Sequence, residues 1–148
     1  METKLYIAKE FPDAIVPTRN HNTDAGFDIY CYEGITVPAN GYTRVKTGIR
    51  ITCTEGFWWT PKARSSLGYI KQIEAYSGVM DAGFTNDTTI LVYNNSSKDY
   101  TINKGDKFCQ VVLIPLPKVE IEEVESVEVL EQMFSESRGS KCWGSSGK

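Results

Sequence analysis

The sequence predicts an all-β fold, a compact sandwich or barrel. Short stretches rich in Val, Ile, Thr, Tyr and Trp recur along the 148 residues, and turn residues such as Asn40-Gly41 and Lys104-Gly105-Asp106 separate them. Long helices do not alternate with these stretches, so a parallel βαβ sheet is not indicated. A chain of this length fits one domain with a substantial core, since about 150 residues bury roughly 70% of the unfolded surface.

Seven stretches are predicted to be strands. In chain order they are KLYIA, FDIYCY, YTRVKTGIRIT, GFWWT, TTILVYN, KFCQVVLI and VEIEEVESVEV. Their β-branched and aromatic residues suit a pleated surface, and Gly34, Glu55-Gly56 and Asn94-Asn95-Ser96 supply further turns. The last stretch, residues 119–129, is acidic, but its five β-branched residues favour a strand over a helix. Residues 65–72 (SSLGYIKQ) are predicted to form one short helix with a serine as its N-cap.

The composition changes abruptly after Phe134. The last residues, SESRGSKCWGSSGK, are small, polar and rich in glycine, so they are not expected to pack into a core. An arginine and a tryptophan within such a tail indicate an arm that becomes ordered on a ligand. We therefore expect a β domain over residues 1–134 and a flexible C-terminal arm over residues 135–148.

Charge and composition exclude several classes of protein. The net charge is −3, but six glutamates lie within residues 119–131, which contain no Lys or Arg, so the rest of the chain carries +3. This mild, diffuse positive charge suits a small polyanionic ligand rather than duplex DNA. No apolar run approaches the roughly 20 residues that span a bilayer, and the N terminus lacks the apolar core of a signal peptide. Four cysteines without a CxxC pair indicate reduced thiols in a cytoplasmic protein. From the charge and the lack of a long apolar run, we expect it to bind neither nucleic acid nor membrane.

Asp81 is the first candidate for chemistry. It lies in Gly78-Val79-Met80-Asp81-Ala82-Gly83-Phe84, where glycine between two β-segments indicates a turn. An isolated aspartate at such a turn is more commonly a turn-former, but here an aromatic residue follows three positions later. An acid that positions a water, beside a ring that packs on a sugar, is the arrangement that a nucleotide hydrolase would use.

Two further segments suit a phosphorylated ligand. In Lys62-Ala63-Arg64-Ser65-Ser66-Leu67-Gly68 the arginine offers a planar fork to phosphate oxygens, and the serines and main-chain N–H groups at a helix start favour an anion. A plain helix cap beside a surface arginine explains this segment at least as well. In the tail, Arg138-Gly139 and Trp143-Gly144-Ser145-Ser146-Gly147 combine a cation, a stacking ring and flexible hydroxyls, which suits a base joined to a triphosphate.

Five segments, collinear and comparably spaced, resemble the five motifs of the homotrimeric dUTPase family. They are Ala25-Gly26-Phe27-Asp28-Ile29, Arg64-Ser65-Ser66-Leu67-Gly68, Gly78-Val79-Met80-Asp81-Ala82-Gly83-Phe84, Lys104-Gly105-Asp106-Lys107-Phe108-Cys109-Gln110 and Arg138-Gly139-Ser140-Lys141-Cys142-Trp143-Gly144-Ser145-Ser146-Gly147. Each motif alone is weak, whereas five in order are specific. The resemblance implies a distorted jelly-roll β-barrel with one short helix, and a homotrimer whose active sites are each built by three subunits. It also implies Mg²⁺-assisted hydrolysis of dUTP to dUMP and pyrophosphate.

The resemblance also implies roles at the sugar and the base. Asp81 would position the water that attacks the α-phosphorus in line. Phe84 would lie beneath the deoxyribose and exclude the 2′-hydroxyl of UTP. The main chain of a hairpin over residues 75–80 would read uracil and reject cytosine. The residues implied for this reading are Ala75, Gly78, Val79 and Met80.

For the phosphates, the resemblance implies that Arg64, Ser65, Ser66 and Gln110 hold the chain. The arm of a neighbouring subunit would close the site, with Arg138 on the γ-phosphate and Trp143 stacked on uracil, and with Gly144, Ser145 and Ser146 beside them. Mg²⁺ would be carried mainly by the three phosphates, with Asp28 acting through water or by orienting the phosphate-binding arginine. Some residues depart from the family's usual ones, namely Ala63, Ser66, Phe84, Thr85, Asn86, Cys142 and Trp143. Because the acid and the phosphate-binding arginines remain, we expect activity with altered affinity.

Three alternative functions share some of these sequence features. A dCTP deaminase of related fold needs a catalytic glutamate on the strand after the third motif, where this chain has Leu91. A nucleotide-responsive regulator that binds another protein is disfavoured as the only role, because Asp81 and the whole arm are retained, but such a partner remains open as an additional one. A structural or carbohydrate-binding jelly roll would explain the strands and not the tail.

Overall fold

The computed structural model describes residues 2–76 and 78–135. This part of the chain contains eleven strands, one π-helical turn (Ser66–Ile70) and one α-helix, α1 (Val127–Met133). The strands are β1 (Leu5–Lys9), β2 (Gly26–Tyr30), β3 (Ile35–Val37), β4 (Gly41–Lys46), β5 (Ile49–Cys53), β6 (Phe57–Lys62), β7 (Ile73–Tyr76), β8 (Met80–Asp81), β9 (Thr89–Asn94), β10 (Tyr100–Ile102) and β11 (Lys107–Pro115). The predicted all-β class is confirmed. None of the helices in the described part is long and apolar enough to cross a membrane.

Four antiparallel sheets build the jelly roll. Their strand orders are β1-β5, β10-β3, β2-β11-β6-β8 and β4-β9-β7. Among the described residues these sheets do not join into one closed hydrogen-bonded barrel. The chain divides between Pro117 and Lys118 into two compact units, and all eleven strands belong to the first unit.

The core lies between the sheets because side chains alternate along each strand. In β9 the fully buried Ile90, Val92 and Asn94 point inward, while Leu91 and Tyr93 are only partly buried. Asn94 is tolerated there because its amide is satisfied: Nδ2 donates to two main-chain carbonyls, at 2.7 and 3.1 Å, and Oδ1 accepts from the main-chain N–H and the hydroxyl of Ser96.

One predicted strand is divided in two. The run YTRVKTGIRIT forms β4 and β5, separated at Thr47-Gly48. Gly48 has a φ of +68°, which L side chains rarely adopt, and a Cβ there would meet the Tyr32 ring at 2.8 Å. The buried Thr47 hydroxyl donates to the carbonyl of Thr88 at 2.6 Å, so this break is anchored in the core.

The strand predicted over residues 119–129 is wrong. Residues 119–126 have no regular structure, and α1 begins at Val127. Extended Ser126 is the N-cap, and its hydroxyl accepts from the Val129 N–H at 3.2 Å. β-branched residues favour a strand only when a neighbouring strand pairs with them, and no pairing is made along this stretch of the described chain.

The predicted short helix is present but differs in type and cap. It is a π-helical turn, and its N-cap residue, Ser65, makes no capping hydrogen bond through its side chain. Instead the Arg64 carbonyl accepts from the N–H groups of Leu67 and Gly68, at 3.0 and 2.8 Å. Gly68 is needed here because a Cβ would approach that of Ala63 to 2.9 Å. The local hydrogen bonds therefore come from the residue before the serines.

Candidate active site

A polar cavity of about 280 Å³ gathers residues from three of the five motifs. Its lining comprises Asn20, Asp24, Ala25, Gly26, Asp28, Arg64, Ser65, Ser66 and Gln110. The predicted phosphate residues Arg64, Ser65, Ser66 and Gln110 are therefore together in one chain, and Asp28 is beside them. The two serines are exposed at the start of the π-helical turn, where hydroxyl and N–H groups suit an anion.

Asp28 is held by main-chain pairing on both sides of β2. Its N–H donates to the Thr18 carbonyl at 2.6 Å, and its own carbonyl accepts from the Thr18 N–H at 3.2 Å. On the other side it lies opposite Gln110 of β11. A carboxylate on a backbone fixed in this way has little freedom beyond its own side-chain torsions.

Two cations engage the two oxygens of the Asp28 carboxylate. Oδ1 is 3.1 Å from Nε of Arg64, and Oδ2 is 3.0 Å from Nζ of Lys107. The Asp28 side chain is only 16% exposed, so these ion pairs are partly shielded from water. Arg64 donates to Asp28 through Nε, and no described residue accepts a hydrogen bond from its two terminal nitrogens. Those donors remain for a ligand in the cavity.

Two features fix the position of the Gln110 side chain: a hydrogen bond from its amide and the lack of a side chain at Gly26. Its Nε2 donates to the Ala63 carbonyl at 3.0 Å. A Cβ on Gly26 would lie 2.1 Å from Gln110 Oε1 and 2.7 Å from its Cδ. Gly26 therefore creates the space that the glutamine side chain occupies.

Asp81 stands on a separate turn. It ends β8, where it pairs with Trp58 of β6, and its side chain is exposed. Its carbonyl accepts from the Phe84 N–H at 3.2 Å, and Gly83 has a φ of +88°, as the third residue of a type II turn requires. The Gly83 N–H donates to the Thr52 hydroxyl at 2.8 Å, which fastens the turn to β5. The turn thus presents both the carboxylate and the half-exposed Phe84 ring to solvent.

In the segment expected to read uracil, the described strands β7 and β8 do not pair with each other. β7, which contains the buried Ala75, pairs with β9, whereas Met80 in β8 pairs with Trp59 of β6. Because β7 and β8 have different partner strands, they belong to two different sheets. Gly78 has a φ of +75° and its carbonyl accepts from the Thr60 hydroxyl at 2.8 Å, while Val79 is 64% exposed. Gly78 and Val79 are accessible to a ligand, and the side chain of Ala75 is not.

A buried thiol lies near each carboxylate. Burial raises the pKa of the Cys109 thiol well above its ordinary value, and the negative charge of Asp28 adds to this. Burial and the nearby Asp81 likewise raise the pKa of Cys53. Neutral, buried thiols are poor nucleophiles, so neither is a candidate for covalent catalysis.

The structure brings the predicted residues together in two groups rather than one. Asp81, Phe84, Val79 and Met80 do not line the Arg64 cavity. Across the sheet, Asp81 pairs with Trp58 and Gln110 with Lys62, on opposite sides of β6. Four residues of strand and two strand spacings separate them by about 16 Å, too far for both side chains to contact one phosphate. Arg138, Trp143, Gly144, Ser145 and Ser146 lie outside the described residues.

A larger cavity, of about 460 Å³, contains none of these residues. Four of its five charged side chains form two ion pairs: Lys46 with Glu33 at 3.0 Å and Arg50 with Glu10 at 3.5 Å. Size alone is therefore a poor guide here, since the smaller cavity has the unsatisfied donors. Sequence reasoning missed Lys107, which lies within the fourth motif but was given no role.

Fold and cavity together define an all-β jelly-roll protein with a polar cavity whose donors suit a phosphorylated small molecule. Comparison with known proteins gives the family. The dUTPase family model matches residues 12–147. The deoxyuridine 5'-triphosphate nucleotidohydrolase of Kluyveromyces lactis is 36% identical over 148 residues, covering 100% of this chain and 97% of the relative. That of Candida albicans is 33% identical over 145 residues, covering 98% and 87%. The chain belongs to the dUTPase family, as its five motifs predicted.

Solved structures agree with this assignment. The dUTPase of Staphylococcus bacteriophage 80alpha with dUPNHPP matches with a TM-score of 0.84 at 26% identity, covering 98% of this chain and 99% of the other. A mutant dUTPase from phage phi11 of S. aureus, in which a structural Mg(II) ion is coordinated, matches with a TM-score of 0.75 at 26% identity, covering 84% and 99%. In residues 2–76 and 78–135 of this chain, no group of three or more His, Cys, Asp or Glu side chains is placed to hold a metal.

Proposed function

We propose that this protein is a dUTP diphosphatase that hydrolyses dUTP to dUMP and pyrophosphate. The relatives carry that activity in their names, and one has been solved with the analogue dUPNHPP. The observation that carries the proposal is the Arg64 guanidinium, which lines a polar cavity, is anchored through Nε, and has no hydrogen-bond acceptor for its terminal nitrogens among the described residues. Such a guanidinium suits the oxygens of a polyphosphate.

Asp81 is the residue proposed to activate water. An exposed carboxylate on a fastened turn accepts a hydrogen bond from water and directs its oxygen at the α-phosphorus. The new bond joins that oxygen to the α-phosphorus while the Asp81 carboxylate takes the proton that the water gives up. The bond from phosphorus to the bridging oxygen breaks, and pyrophosphate leaves with the electron pair of that bond. Arg64 and Gln110 hold the departing phosphates and neutralise their growing charge.

Magnesium is proposed as the cofactor, held mainly by the substrate. When bound by the phosphates it withdraws charge from the leaving pyrophosphate. Asp28 fits an indirect role, because Arg64 and Lys107 already occupy both of its oxygens. What Asp28 contributes directly is the orientation of the arginine.

A shared site is the second part of the proposal. Because Asp81 and the Arg64 cavity are separate within one chain, we propose a homotrimer in which the carboxylate of one subunit meets the phosphate cavity of the next. The arm over residues 135–148 of a third subunit closes the site. Phe84 then packs on the deoxyribose and leaves no room for a 2′-hydroxyl. Leu91 on β9, where a deaminase has its glutamate, supplies no carboxylate for attack on cytosine.

Substrate selectivity tests the activity. Pyrophosphate release with Mg²⁺ is measured from dUTP, UTP, dTTP and dCTP, with ammonia release from dCTP as a check for deamination. We expect turnover of dUTP only. Asp81→Asn is expected to lower kcat at least about a hundredfold while the analogue dUpNHpp still binds. Equal hydrolysis of UTP would contradict the role of Phe84, and an active Asp81→Asn variant would refute the role of the acid.

Mixed trimers test the shared site. Asp81→Asn and Arg64→Ala chains, each inactive alone, are unfolded together and refolded at equal concentrations. If neighbouring subunits supply the two residues, about one quarter of the sites combine an intact Asp81 with an intact Arg64, and activity returns to about that fraction. If each chain supplies both residues to its own site, the mixture stays inactive. Refolded single variants are the matched controls.

A further inference from the structure

We propose that Lys107 is a positioning residue for the phosphates: its ion pair with Asp28 keeps that carboxylate on Nε of Arg64 and leaves both terminal nitrogens of the arginine for the ligand. This inference rests on the proposed function. Lys107 does not line the cavity, so it acts through Asp28 and not by direct contact.

A β-bulge brings Lys107 to this place. The register between β11 and β2 shifts between Lys107 and Cys109: Lys107 lies opposite Tyr30, whereas Gln110 lies opposite Asp28. In a regular strand, side chains three residues apart point to opposite faces. Here the consecutive residues Phe108 and Cys109 are both buried, so the side chains of Lys107 and Gln110 lie on the same face of β11. Both residues are therefore next to Asp28.

The second oxygen of Asp28 explains why a cation is needed there. Arginine and carboxylate commonly pair through two parallel hydrogen bonds, one from Nε and one from a terminal nitrogen. In this structure only Nε pairs with Asp28, because Lys107 holds Oδ2 at 3.0 Å. Without the lysine, Oδ2 is free to accept from a terminal nitrogen of Arg64, and the phosphates lose that donor.

The environment makes the contact effective. The Lys107 side chain is 29% exposed and that of Asp28 is 16% exposed, so water competes less than at an open surface. The Nζ also lies 5.9 Å from the centre of the Tyr30 ring, whose hydroxyl is hydrogen-bonded to that of Thr18. The lysine is therefore held from two sides.

Affinity for dUpNHpp in the presence of Mg²⁺, measured by calorimetry, tests the inference in the full-length protein. Lys107→Met is expected to weaken binding about tenfold and to raise the KM for dUTP by a similar factor, with kcat changed less than about threefold because Asp81 is untouched. Lys107→Arg is expected to restore both values. Lys104→Met is the matched control, since Lys104 precedes the same strand and pairs with Asp13 at 2.6 Å away from the cavity.

A double variant separates positioning from charge. Asp28→Asn with Lys107→Met keeps the net charge of the three residues unchanged but leaves Arg64 without its anchor. Positioning predicts that binding stays weak, whereas a purely electrostatic role predicts full recovery and would overturn the proposal. It is also overturned if Lys107→Met keeps wild-type affinity, or loses only thermal stability with KM unchanged. Failure of the wild-type chain to hydrolyse dUTP would instead refute the proposed function.

Discussion

Substituting Gly26 by alanine is expected to displace the Gln110 side chain from the polar cavity. None of the residues proposed to bind phosphate is itself replaced. Gly26 lies in β2, diagonally across from Gln110 in β11. The added Cβ would stand 2.1 Å from Oε1, 2.7 Å from Cδ and 3.0 Å from Cβ of the glutamine. The carboxamide must therefore leave its hydrogen bond with the Ala63 carbonyl. Gly26 is not among the residues with positive φ, so the effect is one of space rather than of backbone strain.

The magnitude follows from three contributions. Crowding of a packed site costs about 2 kcal/mol, the lost hydrogen bond costs about 1 kcal/mol, and replacing glycine inside a strand recovers about 1 kcal/mol. Gly26→Ala should therefore lower the free energy of unfolding by about 2 kcal/mol, measured by urea denaturation. Affinity for dUpNHpp should fall about tenfold, because the cavity loses one hydrogen-bonding group.

A double-mutant cycle with Gln110→Ala checks the cause. In that background only the Cβ contact at 3.0 Å remains, so Gly26→Ala should cost less than about 0.5 kcal/mol. Affinity should stay as weak as in Gln110→Ala alone. If Gly26→Ala is as stable as the wild type and binds the analogue equally well, the glutamine has room to move and the reasoning fails.

Two further predictions concern groups outside the cavity. In a Cys142→Ser variant at pH 8, Ellman's reagent should label no thiol rapidly until denaturant is added. Burial raises the pKa of Cys31 to about 11, so only roughly 0.1% of that thiol is thiolate at pH 8. Rapid labelling of the native protein would contradict the burial of Cys31, Cys53 and Cys109. The second prediction concerns Asp13, whose pKa is lowered by hydrogen bonds from Lys104 and Tyr32. The ionised carboxylate therefore stabilises the fold at pH values above its ordinary pKa of 3.8, and this stabilisation is lost as the pH falls through the lowered pKa. Asp13→Asn should therefore reduce the urea midpoint at pH 7, with the difference from wild type narrowing below pH 3.8; a difference independent of pH would argue against the ion pair.

The long strands were predictable because five or more residues rich in β-branched and aromatic side chains lie together between turn residues. β9 and β11, with six and nine residues, satisfy this condition. The strands β3, β7, β8 and β10 have only two to four residues, too few to be recognised by composition. β8 exists because Trp58 and Trp59 pair with it, which is information that lies far away in the chain.

The incorrect strand over residues 119–129 has a different cause. The five β-branched residues predicted a strand. The sequence also contains a local signal for a helix, a serine at position 126 followed by residues able to form a helical turn. The serine hydroxyl satisfies an N–H that the first helical turn leaves unpaired. For an isolated segment such a cap decides more than composition does.

The candidate site was predictable in its members and not in its arrangement. The motifs predicted which residues hold the phosphates, and the cavity gathers Arg64, Ser65, Ser66 and Gln110. The ion pair between Lys107 and Asp28 depends on a bulge in a strand pairing, which no single stretch of sequence states. Two consecutive apolar residues, Phe108 and Cys109, were the available signal, since they interrupt the alternation of β11.

The bulge in β11 also limits how the length of this strand can change. Removing or adding one residue between Lys107 and Gln110 would turn one of these side chains into the hydrophobic interior, even if every residue type were retained. This four-residue interval must therefore keep its length for Lys107 and Gln110 to remain on one face of the strand.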